Sequence, residues 1–427
     1  MTVDKSQSSN TKTEVTIKQL KPGMYVLAIF TGKSSLKVKS EGYILNDYGI
    51  NKLLKAGVTH LVVDPTKEKS IDKIDKVLPD TSPSAPPPDK ASPEKSSIKS
   101  IAKTLASLVS LEQEMGKAHK LYESAKGIQQ KIFTDIKLGK SPDIAVLQKT
   151  SDSMVASIFR NQDALACMSK LRSKNDYLID HALSVSILMA IFAKHLHFQE
   201  NVIKELTLGA FLHDVGMVLV SDSILNKTGK LTADEYQTVK RHVDQGLSIL
   251  EDSPGLSHLA IKLVSEHHER LDGAGYPNSL NADDISKYGK MMAIIDSYDA
   301  MTTDRVFKTS ITPVEAFKVL IKESPTLYDE VLVSKFIQCL GVYPVGTLVK
   351  LKSGKLGLVS KLNAGKPLHP VVHVFYDTCL NTPIPIEVLD LCHKKLSSGN
   401  NEQIDCCIKP EEFSLNLFGF FKKAFMG

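Results

Sequence analysis

The sequence predicts a mainly α protein, with a small α+β module before the helical part and a small β-rich segment after it. Three observations lead to this prediction. Apolar residues recur about every 3.6 positions through much of the segment from residue 98 to about residue 340. A Pro- and Ser-rich stretch at 79–93 separates that segment from a start with β-type runs. Short β-type runs return at 345–390, between Gly, Asn and Pro.

Composition sets limits on the function. The chain has 427 residues, 42% hydrophobic and 24% charged, which is ordinary for a soluble protein of more than one compact unit. The net charge of +5 comes without a block of Lys and Arg, so DNA and RNA polymers are not expected partners. A polar start and the lack of a long apolar run predict no transmembrane segment and a cytoplasmic protein. None of the six cysteines forms a Cys-x-x-Cys pair, which argues against a thiolate zinc site.

The start of the chain has the signals of a compact regulatory or docking module. Two β-type runs flank a Pro-Gly turn, a capped helical segment follows, and another β-type run comes before the Pro-rich stretch. The predicted elements are strands at 14–20 and 24–30 around Pro22-Gly23, a helix from Asn46 to Gly57, and a strand at 58–63.

The remaining boundaries follow from composition and from helix caps. The Pro-rich stretch cannot bury a core and is expected to be an extended spacer. Thr232 with Glu235, and Thr312 with Pro313 and Glu315, are helix-start signals in the region that follows. The predicted organisation is a module at 1–75, a linker at 76–98, a helical connector at 99–172, a core domain at 173–340 and a β-rich extension with a Phe-rich tail at 341–427.

A series of histidines and aspartates interrupts the helical segments of the core domain. A single histidine is more commonly a hydrogen-bonded core or surface residue. An adjacent His-Asp pair and an adjacent His-His pair at the ends of apolar segments are different, because buried polar groups must be paired or coordinated. The series consists of His181, His213, Asp214, His242, His267, His268 and Asp296.

Four sequence blocks carry a resemblance to a known family. They are HDVG (213–216), ILNKTGKLT (224–232), HHERLDGAGYP (267–277) and DSYDAMTTDR (296–305). In this order they resemble the HD-GYP domain, a subgroup of the HD-domain metal phosphohydrolases, over roughly residues 175–340. The early run VTIKQLKPGMYV resembles the small module that often precedes this domain. The resemblance implies an HD-type helical bundle that holds metal ions.

Carried over to this chain, the family pattern makes Asp214 a carboxylate that bridges two metal ions. It assigns the other six residues of the series to the two ions, His181, His213 and Asp296 to one and His242, His267 and His268 to the other. Imidazoles with two carboxylates favour Fe, Mn or Zn over Mg or Ca, and the family usually holds Fe or Mn. Two ions about 3.5–4 Å apart can share a hydroxide for in-line attack on a phosphodiester. The implied reaction is hydrolysis of cyclic di-GMP to linear pGpG, with further cleavage to GMP left open.

The resemblance also implies residues that contact the substrate. Gly275 and Tyr276 lie in the Gly-rich loop, where glycine permits close approach of a ligand and tyrosine offers a hydroxyl and a stacking face. Arg305 and Lys308 match family positions that contact phosphates, a role suited to their charge. Outside this context the loop would be a plain turn and the two cations would be surface charge.

Two positions depart from the family pattern. Three-metal members carry Glu one helical turn before the first histidine, whereas this chain has Tyr177, so we expect two metal ions. The HD block usually continues to a lysine, whereas this chain has Met217, whose thioether cannot donate to a phosphate oxygen. Met217 is therefore expected to leave the metal ligands intact and to affect rate or substrate choice.

Several alternatives stay open at the level of sequence. The same chemistry on 3',3'-cyclic GMP-AMP is one, and a catalytically weak cyclic-dinucleotide sensor is another. A homodimer is an open possibility for assembly. The Phe-rich tail at 413–427 is expected to pack on the β-rich segment or a dimer partner, with contact to a membrane surface as the weaker alternative.

Overall fold

The computed structural model describes most of the helical part of the chain and portions of both ends. The chain divides into two compact units, Met1–Ser92 and Pro93–Gly427. The described residues are 13–21, 24–31, 34–36, 42–43, 58–65, 109–170, 176–251, 253, 255–304, 309–363, 365–393, 402–413, 419–420 and 424–425. The predicted helix from Asn46 to Gly57, the Pro22-Gly23 turn and the Pro-rich linker lie outside them.

The first unit contains an antiparallel sheet in the order β1-β5-β2-β3, with β4 paired to β2. Strands lie on both sides of Pro22-Gly23, but the first is shorter than predicted, because a 3-10 turn at Ile17–Gln19 follows it, and β5 lies between the two in the sheet. A small core with Leu61 at its centre holds this unit together. The strands are β1 (Thr13–Thr16), β2 (Tyr25–Thr31), β3 (Ser34–Leu36), β4 (Gly42–Tyr43) and β5 (Val58–Val63).

The second unit is mainly helical, which confirms the predicted fold class. One core cluster runs through its helices, and its largest fully buried side chains include Tyr298, Phe192, Phe211 and Phe336. The helices are α1 (Leu111–Lys137), α2 (Ile144–Arg160), α3 (Gln162–Met168), α4 (Tyr177–His195), α5 (Glu200–Leu212), α6 (Asp222–Leu225), α7 (Ala233–Lys240), α8 (His242–Glu251), α9 (His258–Glu266), α10 (Lys287–Met301), α11 (Pro313–Glu323) and α12 (Glu330–Leu340).

Helix caps and buried faces explain where these helices lie. The capping boxes predicted at Thr232 and Thr312 are both formed, each with the backbone and the glutamate side chain reciprocally bonded. α4 is buried on nearly all sides, and it alone among the described helices is long and apolar enough to cross a membrane, with 83% of the relevant window buried in the protein. A helix apolar all round is expected at the centre of a bundle.

The second unit ends in a β-rich segment, as predicted. Its antiparallel sheet has the order β10-β6-β7-β8-β9, and two of its five strands were not predicted. Of the tail residues that the structure describes, Phe420 lies 4.1 Å from Phe375 and Phe425 lies 4.8 Å from His373, between ring centroids. The described part of the tail therefore packs on the sheet. The strands are β6 (Leu348–Leu351), β7 (Lys355–Lys361), β8 (Val371–Asp377), β9 (Thr382–Asp390) and β10 (Ile404–Cys407).

Candidate metal centre

The structure brings together all seven residues of the His and Asp series, in two groups. Within each group the potential ligand atoms lie within 4.8 Å of one another. All seven side chains are buried except that of His268, which is 19% exposed. One group contains His181, His213 and Asp296, and the other contains Asp214, His242, His267 and His268.

Five elements of the bundle position these residues. His181 lies early in α4 and Asp296 in the middle of α10, whereas the other five lie at helix ends or in the turns that follow. The His213-Asp214 pair leads into a 3-10 turn, Val215–Leu219, that lies against the start of α8. A Cβ on Gly216 would collide with the backbone of His242, so glycine permits this close approach.

The carboxylate of Asp214 lies between the two groups, with one oxygen toward each. Asp214 Oδ2 lies 3.4 Å from Nε2 of His213 and 3.8 Å from Nε2 of His181. Asp214 Oδ1 lies 3.2 Å from Nε2 of His242 and 3.8 Å from Nε2 of His267. The two oxygens of Asp214 therefore face different histidine groups.

Three of the histidines are oriented by backbone carbonyls that precede them closely in the chain. In each, Nδ1 donates to the carbonyl oxygen three residues earlier, at 2.8 Å for His213, 2.7 Å for His242 and 2.6 Å for His267. With Nδ1 protonated in this way, Nε2 of the neutral ring presents its lone pair. The three Nε2 atoms therefore face the centre as acceptors or ligands.

His181 is oriented by a second carboxylate, which the sequence reasoning missed. Its Nδ1 donates to Asp299 Oδ2 at 2.7 Å, and Asp299 Oδ1 accepts from Ser184 Oγ at 2.7 Å. A carboxylate behind a histidine is a usual support for a metal ligand, because it fixes the tautomer and makes the ring more basic. The spacing of Asp299, three residues after Asp296 on α10, was the available signal.

The polar atoms of the centre fit a metal better than they fit one another. Nε2 of His213 is buried and makes no hydrogen bond among the described residues. Nε2 of His242 and Nε2 of His267 lie 3.2 Å apart, yet both Nδ1 atoms already donate to carbonyls. Two facing lone pairs are unfavourable unless a proton or a cation lies between them. Nitrogen and carboxylate donors in these numbers suit divalent transition metals.

The electrostatics favour neutral imidazoles in one part of the centre. Burial lowers the pKa of His268 to about 3, and burial beside His268 and His213 holds the pKa of His267 well below its usual value. Burial would also lower the pKa of His181, but hydrogen bonds to Asp296 and Asp299 outweigh it and raise this pKa to about 9. His267 and His268 are thus held neutral, which is the form that binds metal. Asp296 and Asp299 instead stabilise a positive charge on His181.

The Gly-rich loop lies beside the centre, and its glycines have separate roles. Gly273 has a φ of 76°, while a Cβ on Gly275 would collide with the backbone of Glu269 and Arg270. The carboxylate of Glu269 holds the loop by accepting from two backbone amides. This places the Tyr276 ring 4.6 Å from the His268 ring, between centroids, and burial raises the pKa of Tyr276.

A cavity of about 1180 Å³ opens beside the centre. His181, Asp214 and Asp296 lie in its wall, and so do the two departures from the family pattern, Tyr177 and Met217. Tyr177 stacks on His181 with ring centroids 5.5 Å apart. Pockets of about 300–1000 Å³ accommodate small ligands and cofactors, so this space is sufficient for a dinucleotide.

Further polar residues of the cavity wall had no role assigned from the sequence. Four of them lie in the quoted family blocks, namely Lys227, Lys230, Arg270 and Ser297, and a fifth, Tyr236, lies outside these blocks. Arg270 is fixed by donating to Glu269 O at 2.9 Å and Ser297 Oγ at 3.3 Å. The predicted phosphate contacts Arg305 and Lys308 lie outside the described residues.

Comparisons with known proteins show which family the chain resembles. The HD domain family model matches residues 166–332, and a domain of unknown function matches residues 12–147. The chain is 32% identical to a cyclic di-GMP phosphodiesterase of Pseudomonas aeruginosa over 88% of both chains. It is 31% identical to a cyclic di-GMP phosphodiesterase of Thermotoga maritima over 45% of this chain and 53% of that one. It is 38% identical to the 3'3'-cGAMP-specific phosphodiesterase 2 of Vibrio cholerae over 30% of this chain and 24% of that one.

Among solved structures, an HDG"Y"P protein from Bdellovibrio bacteriovorus is similar with a TM-score of 0.45 and 13% identity, over 76% of this chain and 98% of that one. The fold and the paired His and Asp groups define an HD-domain phosphohydrolase. Because the Pseudomonas relative is 32% identical over 88% of both chains, the chain belongs to the HD-GYP family of phosphodiesterases.

Proposed function

We propose that this chain is a metal-dependent phosphodiesterase that hydrolyses cyclic di-GMP to linear pGpG. The observation that carries the proposal is the shared carboxylate, because Asp214 turns one oxygen to each of two histidine groups at the wall of a nucleotide-sized cavity. The activity named for the Pseudomonas relative supports the same substrate. The reaction is proposed to take place in the cytoplasm.

Divalent ions bound there would supply Lewis acidity and an activated water for attack on phosphorus. We assign His181, His213 and Asp296 to one ion, His242, His267 and His268 to the other, and Asp214 to both. Fe or Mn suits this donor set. Tyr177, where three-metal family members carry Glu, supports two ions rather than three and a linear product.

The chain's own residues bind and orient the diester. Tyr276 lies against His268 and is placed to limit water and to contact the substrate beside the ions. Arg270 is fixed at the cavity wall and Lys230 adds positive charge that attracts a phosphodiester, whereas the charge of Lys227 is paired with Glu235. We retain Gly275, Arg305 and Lys308 as proposed substrate contacts. The division into 1–75, 76–98, 99–172, 173–340 and 341–427 is likewise retained as a proposal.

Two other candidates follow from particular observations. The Vibrio relative that acts on 3'3'-cGAMP supports the mixed dinucleotide as a substrate. Met217 in the cavity wall, where family members usually carry lysine, supports a slow enzyme that acts as a sensor. The complete set of seven side chains favours catalysis over a non-catalytic sensor or interaction module.

The test is purification without oxygen in Fe(II) or Mn(II), metal analysis, and chromatography of products from each cyclic dinucleotide. We expect two ions per chain, pGpG as the main product and faster turnover of cyclic di-GMP. Asp214→Ala is expected to lose metal and turnover, whereas Asp244→Ala, an exposed change on the helix of His242, is expected to retain both. Tight binding without turnover in either metal contradicts the enzyme, and three ions per chain contradict the inference from Tyr177.

A further inference from the structure

One wall of the cavity is made by a helix that contributes nothing to the core. α7, Ala233–Lys240, has no buried residue. Most helical stability in proteins comes from packing an apolar face, so a short helix without one needs other support. Here the support is the Thr232 capping box and an ion pair of 2.6 Å between Glu235 and Lys227. Because Lys227 lies in the cavity wall, this ion pair fixes α7 against the cavity.

The helix presents one aromatic side chain to that space. Tyr236 lines the cavity and is 47% exposed, so its ring has a large apolar area that the protein does not cover. A tyrosine at this position makes no contribution to the core and leaves nearly half of its surface available to a ligand. Exposed aromatic rings in nucleotide sites serve as stacking platforms for bases.

A cation fixes the ring relative to the metal centre. Lys240 Nζ lies 4.9 Å from the ring centroid of Tyr236 and 5.1 Å from that of Tyr276. Tyr276 in turn contacts His268, which belongs to one of the two His and Asp groups. The order from the centre outward is therefore His268, Tyr276, Lys240 and Tyr236. Cation–π contacts of this length hold an aromatic side chain in place without covering both of its faces.

We propose that Tyr236 is a base-stacking residue of the substrate site, and that Lys240 is a positioning residue that holds it. This inference rests on the proposed function, because a cyclic dinucleotide bound with its phosphodiester at the ions extends its bases outward along the cavity. Stacking depends on the face of a base and not on its edge atoms. Tyr236 therefore strengthens the binding of guanine and adenine dinucleotides alike and does not choose between them.

The test compares Tyr236→Ala and Tyr236→Phe on cyclic di-GMP, 3',3'-cyclic GMP-AMP and bis(p-nitrophenyl) phosphate, a diester without nucleobases. We expect Tyr236→Ala to raise KM for both dinucleotides by about tenfold and by similar factors, with kcat and metal content retained. Turnover of the small diester is expected to change less than twofold. Tyr236→Phe keeps the ring and is expected to behave as the wild type, as is Gln237→Ala, an exposed change on the same helix. Lys240→Met is expected to raise KM by a smaller factor.

Unchanged KM in Tyr236→Ala, alongside normal turnover by the wild type, overturns the inference and leaves the proposed function standing. Loss of turnover on the small diester as well points to damage at the metal centre and also overturns it. If the wild type binds cyclic dinucleotides without hydrolysing them, the proposed function fails, and the ratio of dissociation constants between wild type and Tyr236→Ala decides the inference. If the wild type neither binds nor hydrolyses them, both proposals fail.

Discussion

Met217 is a single residue at which the chain departs from its family within the cavity wall. It follows the His213-Asp214 pair by three positions, in the 3-10 turn Val215–Leu219. We expect Met217→Lys to raise kcat/KM for cyclic di-GMP by about tenfold. The reason is that an ammonium hydrogen-bonded to a phosphate oxygen contributes about 1.5–3 kcal/mol, and the thioether contributes none.

The matched control for this prediction is Met217→Leu, which changes shape little and adds no charge. Its kinetics are expected to resemble those of the wild type, and metal content is expected to be the same in all three proteins. Steady-state kinetics with a fixed metal provide the measurement. Equal kcat/KM values for the Lys and Leu variants would show that the side chain at 217 does not reach the substrate.

Single residues also show which parts of the site could be predicted from the sequence. The His and Asp series was visible because adjacent polar pairs interrupt apolar helical segments, and the structure brings all seven together. The groups that orient these side chains were harder to find. Asp299 offered only its spacing of three residues from Asp296. The carbonyls of Ala210, Val239 and Val264 act through ring orientation, which no spacing rule in the sequence reveals. Arg270 was missed because the adjacent histidines gave the stronger signal.

At the scale of elements, α1 is connected to the helix that carries His181. Lys126 Nζ on α1 lies 3.0 Å from Asp176 and 3.1 Å from Asp180, at the start of α4. The Asp180 side chain is 1% exposed, and Tyr122 on α1 donates to it at 3.3 Å. Burial would lower the pKa of Lys126, but the two carboxylates outweigh it and raise this pKa. These contacts of α1 thus hold the start of α4, one residue before His181.

We expect Lys126→Met to lower the thermal unfolding midpoint by roughly 5–10 °C, because removing one partner of a buried ion pair costs about 3–5 kcal/mol. The double variant with Asp180→Asn removes the carboxylate charge as well and is expected to recover most of the loss. Differential scanning calorimetry of the metal-loaded proteins measures both. A double variant no more stable than Lys126→Met would show that the ion pair is not the cause.

Elements were predictable where the signal is local. The capping boxes at Thr232 and Thr312 lie where the sequence placed them, since a cap involves residues three positions apart. Strand pairing was less accessible. β5 lies between β1 and β2 although it is distant from both in the sequence. This pairing buries Val26 and Leu61, and the turn between β1 and β2 does not determine it. β9 was missed because prolines at 383 and 385 argued against a strand.

At the scale of the whole molecule, the centre takes its seven side chains from five separate parts of one helical core. The fold class followed from periodicity and composition, which are averages over many residues. The convergence of distant residues on one point followed only from resemblance. Burying so many polar groups without a metal is costly, so the energetics of the fold and of the site are expected to be coupled.

The last prediction follows from this coupling. Ions that bind the folded chain and not the unfolded one stabilise it by about 4 kcal/mol each when free metal is a thousandfold above Kd. We therefore expect removal of the ions by a chelator to lower the unfolding midpoint of the helical unit by roughly 10 °C or more. Asp214→Ala, which lacks the shared carboxylate, is expected to unfold at the same temperature with and without chelator. A wild type that does not respond to metal removal would show that the bundle folds independently of its centre, and that the seven side chains are satisfied by protons and water.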